Sequence, residues 1–168
     1  QQFQKAALTN PRDPWPHLLI GEVYADWSEV AAQATKVLAA YGKAIQVDTG
    51  FAPAYEARAR WFAGNHSALL AVKEYNKVIE LEPKNWKAYY DRGAVKFRLK
   101  RYYEAAYDFS SAIEKRGPDE EEGIRISHLY RADAYFEIAE YEEAIADFTH
   151  VIRDRLSSRK LAVIRRLY

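Results

Sequence analysis

Alanine recurs in this chain at a spacing that few folds can use. Ala71 and Ala105 lie 34 residues apart, and Ala144 follows after 39. Four residues past each stands an aromatic ring, Tyr75, Phe109 or Phe148, and three further on Val78, Ala112 or Val151. A period of this size marks a chain built from stacked supersecondary units, each too small to bury its own apolar face. The extra five residues of the second interval match a polar insertion, Pro118-Asp119-Glu120-Glu121-Glu122-Gly123.

Three segments carry the repeat plainly: Tyr55 to Pro83, Tyr89 to Ile113, and His128 to Ile152. Numbered on a 34-residue unit, position 8 is small throughout: Gly21, Ala59, Gly93 and Ala132. Position 11 reads Tyr24, Phe62, Lys96 and Tyr135, and Phe97 is expected to fill the space beside Lys96. Small residues at positions 8 and 20 let two helices approach closely, and rings fill the hollows between units. The pattern resembles the tetratricopeptide repeat, a helix–turn–helix family. Position 7, usually Leu in that family, is Ile20 and then Arg58, Arg92 and Arg131, a departure shared by three units.

The earlier chain keeps the rule less neatly. His17 to Gly21 with Tyr24 fits a first helix, and about four extra residues bring Tyr41 and Ala44 to positions 24 and 27. Ser28-Glu29 reads as the cap and first turn of that longer helix. Phe3, Ala6 and Pro11 fall on positions 24, 27 and 32 of a preceding unit. Ser157-Ser158 is expected to cap a final helix from Arg159 to Tyr168, with Leu161, Ile164 and Leu167 on one side.

The resemblance implies an all-α, right-handed α-solenoid of about nine or ten antiparallel helices, read as one domain. Residues 1–13 are then the second helix of a partial repeat, and 14–51 a full repeat with an insertion. Residues 52–85 form the next, 86–124 a third with an insertion, and 125–158 a fourth. Residues 159–168 are a capping helix or the start of a further repeat. The chain is expected to be a fragment of a longer repeat protein, or to have its terminal helices covered by a partner. Gln1 to Thr9 is expected to be the weaker end and Arg159 to Tyr168 the better cap.

No catalytic constellation emerges. Cysteine is absent, which removes disulfides, thiolate metal sites and cysteine nucleophiles. His17, His66, His128 and His150 show no metal-ligand spacing, and His17 and His128 fall on position 4, where a bulky packing residue is expected. Tyr41-Gly42-Lys43-Ala44 lacks what a phosphate loop needs. Glu142-Glu143 and Glu120 to Glu122 read as solvated turns, and Asn65-His66-Ser67 as a capped turn more than a glycosylation site. Arg153 to Arg166 holds six basic residues against one acid, which reads as a solvated outer face. A net charge of +1 gives no argument for nucleic acid, and no apolar run approaches the ~18 residues of a membrane helix. No enzyme activity, cofactor or metal is expected, and the compartment is left open, with the cytoplasm weakly favoured.

The resemblance also implies a function. In this family ligands lie along the wall made by first helices, at positions 2, 5, 9, 12 and 13. Those positions hold Glu22, Asp26, Glu56, Arg60, Lys87, Tyr90, Phe97, Arg98, Leu129, Asp133, Phe136 and Glu137. Exposed rings and arginines are common binding anchors. A protein or peptide partner is expected, with self-association through the terminal helices as the alternative. The family's carboxylate clamp for chaperone tails is not present. Its positions hold Leu18, Glu22, Ala57, Lys87 and Asp91, or Glu56, Arg60, Asp91, Ile126 and Tyr130. Acids there repel a carboxylate.

Overall fold

A computed structural model describes residues 2–26, 30–117 and 121–167, and the side chains of 2–26, 34–117 and 122–155. Every regular element among them is a helix, and two compact units result, Gln1–Pro83 and Lys84–Tyr168.

The first unit holds α1 (Gln2–Thr9), α2 (Trp15–Ala25), α3 (Val30–Val47), α4 (Ala52–Gly64) and α5 (Ala68–Leu81). Gly21 sets the approach of α2 to α3. A Cβ there would stand 2.4 Å from Cε1 of Tyr41, whose ring is 1% exposed. Leu18, Val37, Tyr41, Ala44, Ala54 and Ala57 form the core around that contact. In the next hairpin Ala59, Ala71, Tyr75 and Val78 are buried, so the small–small–aromatic pattern is the packing pattern. α3 has 18 residues against 14 in α5, which accounts for the four extra residues read from the sequence. The Ser28-Glu29 cap lies outside the described residues, as does half of the polar insertion, Pro118 to Glu120.

The second unit holds α6 (Trp86–Arg98), α7 (Tyr102–Lys115), α8 (Glu121–Glu137) and α9 (Tyr141–Leu167). Asn85 caps α6, its Oδ1 accepting from the Ala88 amide at 3.1 Å. Gly93 admits the Phe109 ring, and Ala105, Phe109, Ala112, Ala132 and Ala144 are buried.

Three turns share one geometry. His66, Lys100 and Ala139 have φ of 56°, 60° and 64°, in the left-handed region. Each sits just past a first helix, and the residue after it donates back five places: Ser67 to Phe62, Arg101 to Lys96, Glu140 to Tyr135. This is the helix-ending bond pattern that usually recruits glycine.

Three expectations need correction. No new helix begins after Ser157-Ser158, because α9 runs unbroken from Tyr141 to Leu167. No glycine or proline lies between Val151 and Ser158 to end the helix, and a hydroxyl caps only where the backbone has left helical dihedrals. The side chains of Leu161, Ile164 and Leu167 lie outside the described residues. Ser67 makes no capping bond to α5; its hydroxyl donates to the Asn65 carbonyl, while the Asn65 amide closes the end of α4 on the Trp61 carbonyl at 2.8 Å. Finally, Phe97 does not stand in for Lys96. Lys96 itself is buried, with Nζ 2.8 Å from Asp108, while Phe97 packs on the Tyr102 ring.

Candidate partner-binding face

The repeated arginine at position 7 is structural. Arg92 reaches across from α6 to α7 and grips Asp108 with Nε at 2.9 Å and Nη2 at 2.6 Å. Arg131 of α8 grips Asp147 of α9 the same way, at 2.7 Å from each nitrogen, and adds a bond from Nη1 to Ser110. Arg58 of α4 meets Glu74 of α5 at 2.7 Å. Each pair is 16 residues apart. These cations are therefore spent on packing contacts, chiefly inside their own hairpins, and are not offered to a ligand. Fork-shaped pairing of this kind is strong because it is charged, directional and partly shielded from water.

His128 extends the last of these clusters. Its Nδ1 lies 2.6 Å from Asp147, and its ring lies 4.2 Å from that of His150. Burial works to raise the Asp147 carboxyl, but its bonds from Arg131 and His128 prevail and hold it below the usual range. Among the described residues no group of three or more His, Cys, Asp or Glu is placed to hold a metal.

In the first unit, the first-helix residues partly satisfy one another. Arg60 donates to Glu22 at 3.3 Å, and the buried Tyr41 hydroxyl is bonded to the same Glu22, with burial pushing its pKa up. Asp26 is exposed just after α2, and Glu56 is half-buried on α4.

In the second unit the first helices are richer in rings. Lys87 pairs with Asp91 at 2.9 Å, one helical turn on. Tyr90 is half-buried in a stack, 5.8 Å from the rings of Phe109 and Tyr130 and 6.5 Å from Trp86. Burial and the neighbouring Tyr130 hydroxyl push its pKa up to about 12. Tyr90 is thus largely committed to packing. Phe97 lies half-buried on Tyr102, and Arg98 is exposed. On α8, Leu129 and Phe136 are 40% and 59% exposed, and Phe136 meets Tyr141 edge-on at 5.6 Å. Glu137 is exposed and accepts a hydrogen bond from the Tyr102 hydroxyl; Asp133, one turn earlier, is half-buried.

Three rings in this neighbourhood are missed by the position rule: Tyr102, Tyr130 and Tyr141. Tyr102 and Tyr141 open second helices at the same repeat position, 39 residues apart, which is the signal that could have found them.

No protein-family model and no curated protein matches the sequence. Solved structures do match. The crystal structure of MamA covers 94% of this chain and 87% of its own at 18% identity, with a TM-score of 0.78. MamA from Desulfovibrio magneticus RS-1, residue 41 to its end, matches over 92% of this chain and 82% of its own, at 16% identity and a TM-score of 0.75. Pseudomonas aeruginosa pilF matches over 86% of this chain and 63% of its own, at 19% identity and a TM-score of 0.68. MamA and PilF are tetratricopeptide-repeat proteins. This chain has the tetratricopeptide-repeat fold. Within that fold, Glu22, Glu56, Arg60, Lys87, Tyr90, Phe97, Arg98, Leu129, Asp133, Phe136 and Glu137 sit on first helices.

Proposed function

We propose that this tetratricopeptide-repeat chain is a non-catalytic scaffold that binds a segment of a partner protein on its first-helix faces. The observation that carries the reading is Phe136, a ring 59% exposed on α8 beside the equally open Tyr141 ring. Leu129 and Arg98 extend the same kind of surface on α8 and α6. Large rings left in water are poor for solubility and good for binding, and interface anchors are drawn from aromatics and arginine. Glu56, Arg60, Lys87, Tyr90, Phe97, Asp133 and Glu137 complete the proposed contacts, with Tyr90 contributing an edge of its stack.

The test is a selection of random displayed peptides against the full chain, followed by mapping. Phe136→Ala and Arg98→Ala should each weaken the selected peptides by about tenfold, the usual scale of an anchor. Tyr107→Ala, which removes an equally exposed ring from second helix α7, should not. Binders lost with Tyr107 and indifferent to Phe136 count against the reading.

Self-association is the second reading, and one observation favours it. Tyr141, Ile145 and Ile152 form an exposed apolar stripe on α9, at 55%, 63% and 58%. Light scattering over a concentration series decides: a monomer throughout sinks it.

A further inference from the structure

The charges of the second unit are almost completely paired where they are shielded. Asp91 has Lys87, Asp108 has Arg92 and Lys96, Asp147 has Arg131, and Asp154 has Arg125 at 3.9 Å. Among the described residues of this unit, Asp133 is the one buried or half-buried acid that no cation reaches. What stands beside it is another acid, Glu137, one turn along α8. Burial first, and then the Glu137 charge, drive the Asp133 carboxyl above its ordinary range. Glu137 itself is held in place by the Tyr102 hydroxyl. The two carboxylates lie on the helix that also exposes Leu129 and Phe136.

A structural role does not account for this arrangement. Two like charges one turn apart on a helix oppose each other, and partial burial strengthens the opposition. A cation placed between them reverses both effects, and an aromatic ring close by adds attraction for the same cation. We propose that the α8 face around Asp133 and Glu137 receives an arginine or lysine of the partner segment, flanked by apolar side chains that cover Leu129 and Phe136. The partner is thus a basic-apolar segment of a protein. This rests on the first-helix-face reading and adds its charge specificity.

The test uses three peptides on the full chain: acetyl-Gly-Leu-Phe-Arg-Phe-Leu-Gly-amide and its Gln and Glu counterparts at the central residue. Amide shifts are followed by NMR. The arginine peptide should move α8 resonances around Leu129 to Glu137 and bind about tenfold more tightly than the glutamine peptide, with the glutamate peptide weakest. Asp133→Asn with Glu137→Gln should bring the three to similar affinity. Equal affinity of the arginine and glutamine peptides for the unsubstituted chain, both mapping to α8, overturns the charge inference and leaves the face reading standing. Arginine-peptide shifts that stay off α8, or no shifts from any peptide, overturn both. Thermal melting gives a readout independent of any ligand. Asp133→Asn should raise Tm, because it removes a repulsion; a lowered Tm means Asp133 serves the fold and contradicts the proposal.

Discussion

Arg92 holds Asp108 with two parallel bonds across the α6–α7 hairpin, and Asp108 is fully buried. Lys96 supplies a second cation to the same carboxylate. Removing Arg92 takes both of its charged bonds from a buried carboxylate and leaves Lys96 as its one remaining cation among the described residues. Arg92→Ala should therefore cost about 3–5 kcal/mol. Arg58→Ala should cost clearly less, since the Arg58 and Glu74 side chains are 22% and 12% exposed and water can replace the lost partner. Urea denaturation of the two variants checks the order; a cost for Arg58→Ala equal to that for Arg92→Ala contradicts it.

Acid should unfold the protein partly through Asp147. Its folded pKa is depressed, so its contribution is fully present above the unfolded value of about 3.9 and fades as pH falls through the lower folded value. Stability measured from pH 6 down to pH 2 should fall less steeply below about pH 4 in Asp147→Asn, which starts from a lower plateau. Parallel curves for the two proteins would remove Asp147 from the account.

The turn residues offer stabilisation without touching the core. His66, Lys100 and Ala139 hold a backbone conformation that costs an L side chain about 1 kcal/mol and costs glycine little. Ala139→Gly and Lys100→Gly should each raise stability by up to about 1 kcal/mol, or Tm by about 2–4 °C. A fall in Tm for both would mean that the greater freedom of glycine in the unfolded chain outweighs the strain.

Two glycines in one hairpin should respond in opposite directions to alanine. At Gly21 the new methyl meets the buried Tyr41 ring at 2.4 Å, and the cost should be about 1–3 kcal/mol. At Gly42, inside α3, nothing lies within 4 Å, and alanine should gain about 0.5–1 kcal/mol of helix propensity. Calorimetry of Gly21→Ala and Gly42→Ala separates them; a loss at Gly42 as large as at Gly21 would refute the packing explanation.

Helix α1 buries none of its residues, whereas α7 buries Ala105, Ala106, Asp108, Phe109, Ser111 and Ala112. Hydrogen exchange should therefore be faster across Gln2 to Thr9 than across Ala105 to Ala112. Equal protection in dilute solution would show that α1 is held by contacts other than core burial.

The repeat itself was readable because packing demands the same residue sizes at the same places. Ala71, Ala105 and Ala144 are all buried, as are the rings Tyr75 and Phe109. The arginines at 58, 92 and 131 were harder. Each read as a departure from an expected leucine, since the partner acids lie 16 residues away, beyond any local spacing rule. The recurrence of Arg with Glu or Asp at that interval, three times over, was the missed signal. Lys96 was misread for the same reason: its buried ammonium makes sense only once Asp108 is placed beside it. The face residues were legible by position but not by availability. Tyr90 and Phe136 both fall on first helices, yet one is absorbed in a stack and the other stands open, and only the three-dimensional neighbours decide which.

The arginine–acid pairs act within a hairpin as a ratchet pawl. A second helix sliding by one turn past its first would carry Asp108 about 5.4 Å from Arg92 and leave both charges stranded in an apolar seam. Alanine seams alone tolerate such slippage, because one methyl resembles the next. Each hairpin with such a pair therefore carries its own alignment mark, set before any neighbour or partner arrives.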